Sequence, residues 1–466
     1  MSFRRGSGLT AAFSIVATIA IFGSQQAPAA AAARAATTAS AVTAASNYMP
    51  ITPGFRILDT RTGLCGGHVC HALGAGGRLT LQITGYVDPR TGNSVPAAAT
   101  AVVINVTAVY GSVGSLLTVY PAGTSQPRAS NLNFPAHLNL ANLVTSELGS
   151  GGAVTIFNSL GTVNVLADVE GYFQPQPLSD PSGEYHPISP LRVCDTRAGQ
   201  PATTCNGLNN GQPHALGANS AVKVTVAGQP AWCSPTCTPS IPTDGTEEFA
   251  IVNLTAVAPT ANTYLSVVPW STSGCQYGGS KGAPPFSTIN INAGKTAANR
   301  VFVDLAINTN PINICVYNST GKVNFIIDDN GWFGGPTAGQ GEQYFATTPT
   351  RVCDTRSGAG TTCSGHPLTS AGTLNVAIAG QSGVSSGALA VIANVTAVDG
   401  TASTFLTLYP DAANRPRSSD LNVLPHVNLP NLTAVQLSAS GTLGHVNIFN
   451  SVGTINVIVD VEGWFH

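Results

Sequence analysis

Residues 154–173 read VTIFNSLGTVNVLADVEGYF, and residues 446–465 read VNIFNSVGTINVIVDVEGWF. A looser version, ICVYNSTGKVNFIIDDNGWF, occupies 314–333. Each copy is an apolar run, an Asn-Ser-x-Gly connection, and a second apolar run with an Asp inside it. The runs are short and rich in β-branched residues, which suits strands. Gly161, Gly321 and Gly453 supply the positive φ that a tight hairpin connection needs. A sentence written three times sets the architecture before any single strand does.

Working outward from it, each copy belongs to a longer unit. The unit opens on FRILDTR (55–61), LRVCDTR (191–197) or TRVCDTR (350–356). An alternating segment follows: RLTLQITG, AVKVTVAG or TLNVAIAG. Then come VVINVTAV, AIVNLTAV or VIANVTAV, with Asn105, Asn253 and Asn394 in register. LLTVYP, LSVVP or FLTLYP is next, then SNLNF, STINI or SDLNV, then Asn142, Asn299 and Asn431. The alternation has the period of a half-buried strand, and breaker clusters recur about every 8–12 residues. This predicts an all-β protein: three tandem antiparallel β-sandwich units of eight or nine strands each.

The boundaries follow from breaker-rich stretches. Unit one spans 49–173, QPQPLSDPSGE (174–184) is a linker, unit two spans 185–333, GGPTAGQGE (334–342) is a linker, and unit three spans 343–466. Unit two diverges and carries insertions, including PAWCSPTCTPSIPTDGTEE. Unit three, with its own opening and closing strands, is expected to fold alone. At the other end, Arg4 and Arg5 precede an uncharged apolar stretch from Leu9 to Phe22 and small-residue cleavage options. Residues 1–35 therefore read as a signal peptide and 36–48 as a linker; the apolar run is shorter than the ~20 residues of a spanning helix.

Export shapes the rest of the reading. The 466-residue chain has only 9% charged residues and a net charge of −2, against a usual ~25% charged. No basic stripe marks a nucleic-acid binder. Ten cysteines in an exported chain read as disulfides. Short spacing gives Cys65–Cys70, Cys194–Cys205 and Cys353–Cys363; the remaining four are expected as Cys233–Cys237 and Cys275–Cys315, a connectivity that sequence does not fix. His68 and His71 near Cys65 and Cys70 match no standard zinc spacing, and no metal or cofactor is expected.

The ordered motifs L-D-T-R, N-V-T-A, L-T-V-Y-P, S-N-L-N and D-V-x-G-Y-F resemble a repeat of secreted proteins from high-GC Gram-positive bacteria (actinobacteria). The resemblance covers about residues 49–466. It implies a β-rich extracellular module, found in tandem or appended to extracellular hydrolases, and it implies no activity. Unit two departs from it at DDNGWF and STINI.

The Asp of the opening quotation recurs as Asp168, Asp328 and Asp460. An Asp among Val, Leu and Ile is costly to bury unless it is paired. The expected partners are the opening-strand segments Asp59/Arg61, Asp195/Arg197 and Asp354/Arg356, as structural locks rather than a ligand site. The strand asparagines, with Asn131 and Asn133, read as internal hydrogen-bonding groups. No Gly-x-Ser-x-Gly, His-Glu-x-x-His or phosphate loop is present. The expected function is a secreted, non-enzymatic cell-surface or matrix interaction module, with cell-wall glycan or another surface protein as partner. The alternative is carbohydrate binding, with Tyr120, Tyr172, Trp270, Trp332, Tyr409 and Trp464 as stacking candidates. A hydrolase or hydrolase inhibitor is the third class.

Overall fold

Two kinds of apolar strand recur in every repeat, and they build two kinds of sheet. The strand Ala101–Val109 is buried at every position but its last, and so is Ala390–Val398. The strands Arg78–Gln82 and Thr373–Ala377 instead follow an exposed–buried alternation. A strand covered on both faces reads as a continuous apolar run, whereas one that faces water on one side alternates.

The computed structural model describes residues 44–177, 179–199, 205, 215–227, 242, 245–271, 273–305 and 312–466. The signal peptide reading and the Cys233–Cys237 pair lie outside the described residues. The chain is all-β, in antiparallel sheets. In each repeat an inner sheet runs opening strand, closing strand, central strand, fourth strand. In repeat one these are Asn47–Asp59, Asn164–Gln174, Ala101–Val109 and Asn139–Glu147. In repeat two they are Tyr185–Asp195, Asn324–Gly334, Glu247–Val257 and Thr296–Asp304, and in repeat three Tyr344–Asp354, Asn456–Phe465, Ala390–Val398 and Leu429–Gln436. A second, outer sheet of each repeat packs on one face of the inner one and closes an apolar core of its own. The first strand starts at Asn47, so the segment expected as linker (36–48) already contributes to the sheet.

The other face of each inner sheet is buried too, against the other two repeats. Tyr48, Tyr185 and Tyr344 from the opening strands and Phe173, Phe333 and Phe465 from the closing strands share one cluster. Their contacts run in a cycle: Phe173 on Tyr344 at 4.0 Å between ring centroids, Phe465 on Tyr185 at 4.4 Å, Phe333 on Tyr48 at 4.7 Å. Backbone bonds close the same cycle. Ser46 and Tyr344 exchange N–H···O bonds of 2.9 and 2.8 Å, and Tyr185 and Glu342 do likewise. The Tyr48 N–H donates to Gly183 O at 2.8 Å. The segments expected as spacers are thus bonded into the centre. Repeat three, expected to fold alone, has a face of Tyr344, Ile392, Leu432 and Phe465 that the other repeats cover.

The structure forms Cys194–Cys205 and Cys353–Cys363 as the spacing predicts, and Cys275–Cys315 as expected from the cysteines that remained. Cys65 and Cys70 correct the expectation: both are buried free thiols. Cys70 Sγ donates to the Leu64 carbonyl at 3.4 Å, and burial pushes the Cys65 thiol up to about 12.

Candidate functional site: the seams between repeats

The closing-strand aspartates are paired, but not with the arginines expected. Strand register puts Arg56 opposite Asp168, Arg192 opposite Asp328 and Arg351 opposite Asp460. In all three the guanidinium Nε donates to the carboxylate at 2.8 Å and Nη2 reaches its second oxygen. Arg61, Arg197 and Arg356 instead fold back on Asp59, Asp195 and Asp354, each at 2.7 Å. Strand register explains the exchange. Arg61, Arg197 and Arg356 come five residues after the arginines that face the closing Asp, past the ends of the opening strands. The missed arginines recur in FR, LR and TR, so the signal was present. The Arg61 and Arg56 guanidiniums hold the Asp59 carboxyl below its usual value against the opposing effect of burial, and Arg356 and Arg351 do the same for Asp354.

The asparagines tie repeats to one another. Asn299 donates to Asn105, Asn431 to Asn253 and Asn142 to Asn394, each at 3.0 Å. The central-strand asparagines donate in the same cyclic sense to Ser287 O, Ser419 O and Ser130 O, at 2.7, 2.7 and 2.6 Å. Every mid-strand Asn therefore bonds across a seam, as burial demands, although the Asn431 Oδ1 has no partner. Asn133 stays local, donating to Ser130 Oγ at 3.2 Å.

Two residues past each closing Asp, a polar arm reaches the next repeat. Glu462 accepts from Thr145 N at 2.9 Å and from Asn131 Nδ2 at 2.6 Å. Asn330 donates to Ala434 O at 3.3 Å and accepts from Arg300 Nη1. Arg300 is wholly buried; it also donates to Asp420 at 2.8 Å and to Leu432 O at 3.1 Å. Glu170 accepts from Phe302 N at 3.2 Å. Burial pushes both Glu170 and Glu462 up to about 8. Arg300 occupies the position of Leu143 and Leu432, so the repeats gave no hint of it.

At the first seam, between repeats one and two, Glu170 borders a cavity of about 320 Å³. Tyr48, Ile51, Val301 and Phe302 give it apolar wall, and Asp168, Glu170 and Asp304 give it carboxylates. The third seam carries a groove of opposite character, lined by Arg128, Arg351 and Arg356.

Most of the stacking candidates are packed away. Tyr120, Tyr409, Trp332 and Trp464 are buried, Trp332 flat on His186 at 3.8 Å and Trp464 flat on Phe345 at 4.2 Å. These four are corrected to core residues. Tyr172 is partly buried against the repeat-one core, and Trp270 is partly exposed with Lys223 Nζ 5.4 Å from its ring. An aromatic the sequence reading did not single out, Tyr110, stands 66% exposed on a loop tip beside His137, with 5.4 Å between ring centroids.

No family model and no curated protein matches the chain. Among solved structures it is similar to one described as "The Triple Jelly Roll Fold and Turret Assembly in an Archaeal Virus", at 10% identity and TM-score 0.16 over 90% of each chain. It is also similar to the tandem CBM22-1-CBM22-2 domain of Paenibacillus barcinonensis Xyn10C, at 10% identity and TM-score 0.16 over 64% of this chain and 99% of that one. At that TM-score neither likeness carries an argument, and the all-β assignment rests on the sheets themselves. Three disulfides suit an oxidising compartment. Among the described residues no helix is long and apolar enough to cross a membrane.

Proposed function

We propose that this is a secreted, non-enzymatic interaction protein of the cell surface or extracellular matrix, in which three repeats are fused into one body. The observation that supports this reading is where the recurring polar groups go. Asp168, Asp328 and Asp460 hold the opening strands, Asp59, Asp195 and Asp354 hold their own loops, and the arms at 170, 330 and 462 hold the next repeat. What recurs is used to build a rigid body, so recognition falls to what differs between repeats, on the outer sheets and loop tips. The test is a pulldown of the chain from residue 44 onward against cell-wall fractions, with a glycan array in parallel. Saturable retention on a wall or surface-protein fraction supports the reading. Turnover of a wall polymer would overturn it.

Carbohydrate binding is the second reading, and Tyr110 favours it. An exposed aromatic ring next to a second ring offers the flat apolar face on which a sugar stacks. Tyr110→Ala would then abolish glycan retention without lowering the melting temperature.

A further inference from the structure

The third seam, between repeats three and one, gathers arginines in a chain that has few charges. Arg128 comes from repeat one, and Arg351 and Arg356 come from repeat three. The three line a groove of about 500 Å³ and also a neighbouring hollow of about 460 Å³. Among the described residues no carboxylate lines the groove, and Asp354 is the one that lines the hollow.

Charges already matched are set aside first. Arg351 pairs with Asp460 at 2.8 Å and with Asp354 at 3.2 Å. Arg356 shares Asp354, at 2.7 Å. Two carboxylates thus serve two guanidiniums, and the charge of Arg128 is left over. Arg128 is exposed, and its side chain has no hydrogen-bond or ion-pair partner among the described residues. Its backbone is nonetheless fixed at the seam, because its carbonyl accepts from Arg351 Nη2 at 3.0 Å. Arg356 spends Nε and Nη2 on Asp354 and keeps Nη1. Pro285 stands in the place of Arg128 at the first seam, and Arg417 at the second is not free.

Thr396 is an independent mark on the same wall. It is 2% exposed, it lines the groove, and its hydroxyl has no hydrogen-bond partner. Thr255, its counterpart in repeat two, shares this lack, at the seam where Arg417 takes the place of Arg128. A buried donor in that state is costly until an acceptor is brought to it. Guanidinium forks match the oxygens of a carboxylate or phosphate. The rest of the lining bears on what carries that anion. Gln126, Asn133, Ser159 and Asn428 are each at least partly exposed along the groove. Arg78, 4.8 Å from the ring of Phe157 in the same wall, adds to the positive field. Amides and hydroxyls beside arginines suit a hydroxylated ring better than a lipid tail.

We propose that the groove at the third seam binds an anionic saccharide, a sugar ring bearing a carboxylate or a phosphate, with Arg128 and Arg356 taking the oxyanion. This site is separate from the loop tip of Tyr110, and it stands whether or not the outer surfaces hold a cell wall.

The test is isothermal titration of the whole protein with trigalacturonate and with glucose 6-phosphate. Their neutral counterparts, the trigalacturonate methyl ester and glucose, and inorganic phosphate are titrated in parallel. At least one acidic sugar is expected to bind saturably, about tenfold or more tighter than its neutral counterpart and than inorganic phosphate. The arm that binds tells whether carboxylate or phosphate is the anion taken. Arg128→Gln is expected to weaken that binding about tenfold or more and to leave the melting temperature unchanged, since the side chain it removes holds nothing in the fold. Arg61→Gln removes the same charge from the Asp-Thr-Arg segment of repeat one and is expected to leave binding as it is. No saturable binding of either acidic sugar at about 10 mM would overturn the proposal. So would inorganic phosphate binding as tightly as the sugars, an adventitious ion only, or undiminished binding in Arg128→Gln, or an equal loss in Arg61→Gln.

Discussion

The second seam and the first are the same junction solved twice. At the second, Arg300, Asn330 and Asp420 fill the space with a polar cluster that the protein itself completes. At the first, Leu143 and Thr288 replace Arg300 and Asp420, Glu170 takes one backbone N–H, and a cavity remains. The third seam lies between them: Glu462 has both Asn131 and Thr145 as donors and Leu432 in the place of Arg300. What the difference teaches is that the repeats share a frame rather than a set of contacts. Once the aromatic centre and the asparagine bonds fix how repeats meet, the residues at 143, 300 and 432 are free to diverge.

The largest expected effect comes from taking the seams away altogether. Residues 343–466 alone would expose Tyr344, Ile392, Leu432 and Phe465 and leave Glu462 without its repeat-one donors. We expect this fragment to aggregate or to melt without a cooperative transition, where the full chain melts sharply; circular dichroism and gel filtration would show it. A soluble, cooperative fragment would mean that the seams dock finished domains.

Within the second seam, Arg300→Leu makes it resemble the other two but strands a buried Asp420. Removing one partner of a buried pair costs on the order of 3–5 kcal/mol. Adding Asp420→Asn, the residue type repeat one uses at Asn131, should restore most of the loss, because coupled sites are not additive. Denaturant midpoints of both variants against the parent decide it, and an additive double variant would break the equivalence of the seams.

The locks inside each repeat give a control of intermediate size. Asp460→Ala removes the closer partner of the largely buried Arg351, which keeps Asp354 at 3.2 Å, and is expected to cost about 2–3 kcal/mol. Arg356→Ala removes a side chain 47% exposed, so about 1 kcal/mol or less is expected. Equal losses in thermal melts would return the Asp-Thr-Arg arginine to the role the sequence suggested.

The smallest effect is a slope. Glu170 has its folded value raised to about 8 by burial from an ordinary 4.5. The folded chain then holds a proton that the unfolded chain has lost, so this contribution to stability is present below about pH 4.5 and is lost as pH rises towards 8. Glu170→Gln should flatten the decline in melting temperature across that window while leaving the shape of the acid limb. A wild-type slope in the variant would assign the titration elsewhere.

How much of this was legible from the sequence depends on range. The strands were, because period and turn residues are local. So were Cys194–Cys205 and Cys353–Cys363, from their short spacing, whereas Cys275–Cys315 spans 40 residues and followed only from the cysteines left over. The purpose of the inner asparagines was half visible: Asn105 had to be satisfied, but nothing local says that its partner is 194 residues away at Asn299. The continuous runs VVINV and VIANV already meant burial on both faces, and that burial needed a second covering layer, which only the neighbouring repeats supply. Arg56 recurred in plain sight, yet choosing it over Arg61 required knowing the register in which the opening strand pairs with the closing one. The cavity could not be read at all, since its walls come from two repeats, Glu170 from one and Phe302 from the other.

The backbone exchange between Ser46 and Tyr344 has a kinetic consequence. A chain delivered from its N-terminus, by a ribosome or through a pore, must hold its first strand without that partner until the last third arrives. Glu462 meets Asn131 across 331 residues of sequence, and closing loops of that length precedes any reward from the contacts they make. We would look for the slow phase of refolding in the closure of the ring, with each repeat's outer sheet formed first. Until that step, the aromatic faces are open, and the protein depends on few charges to keep them from meeting those of another chain.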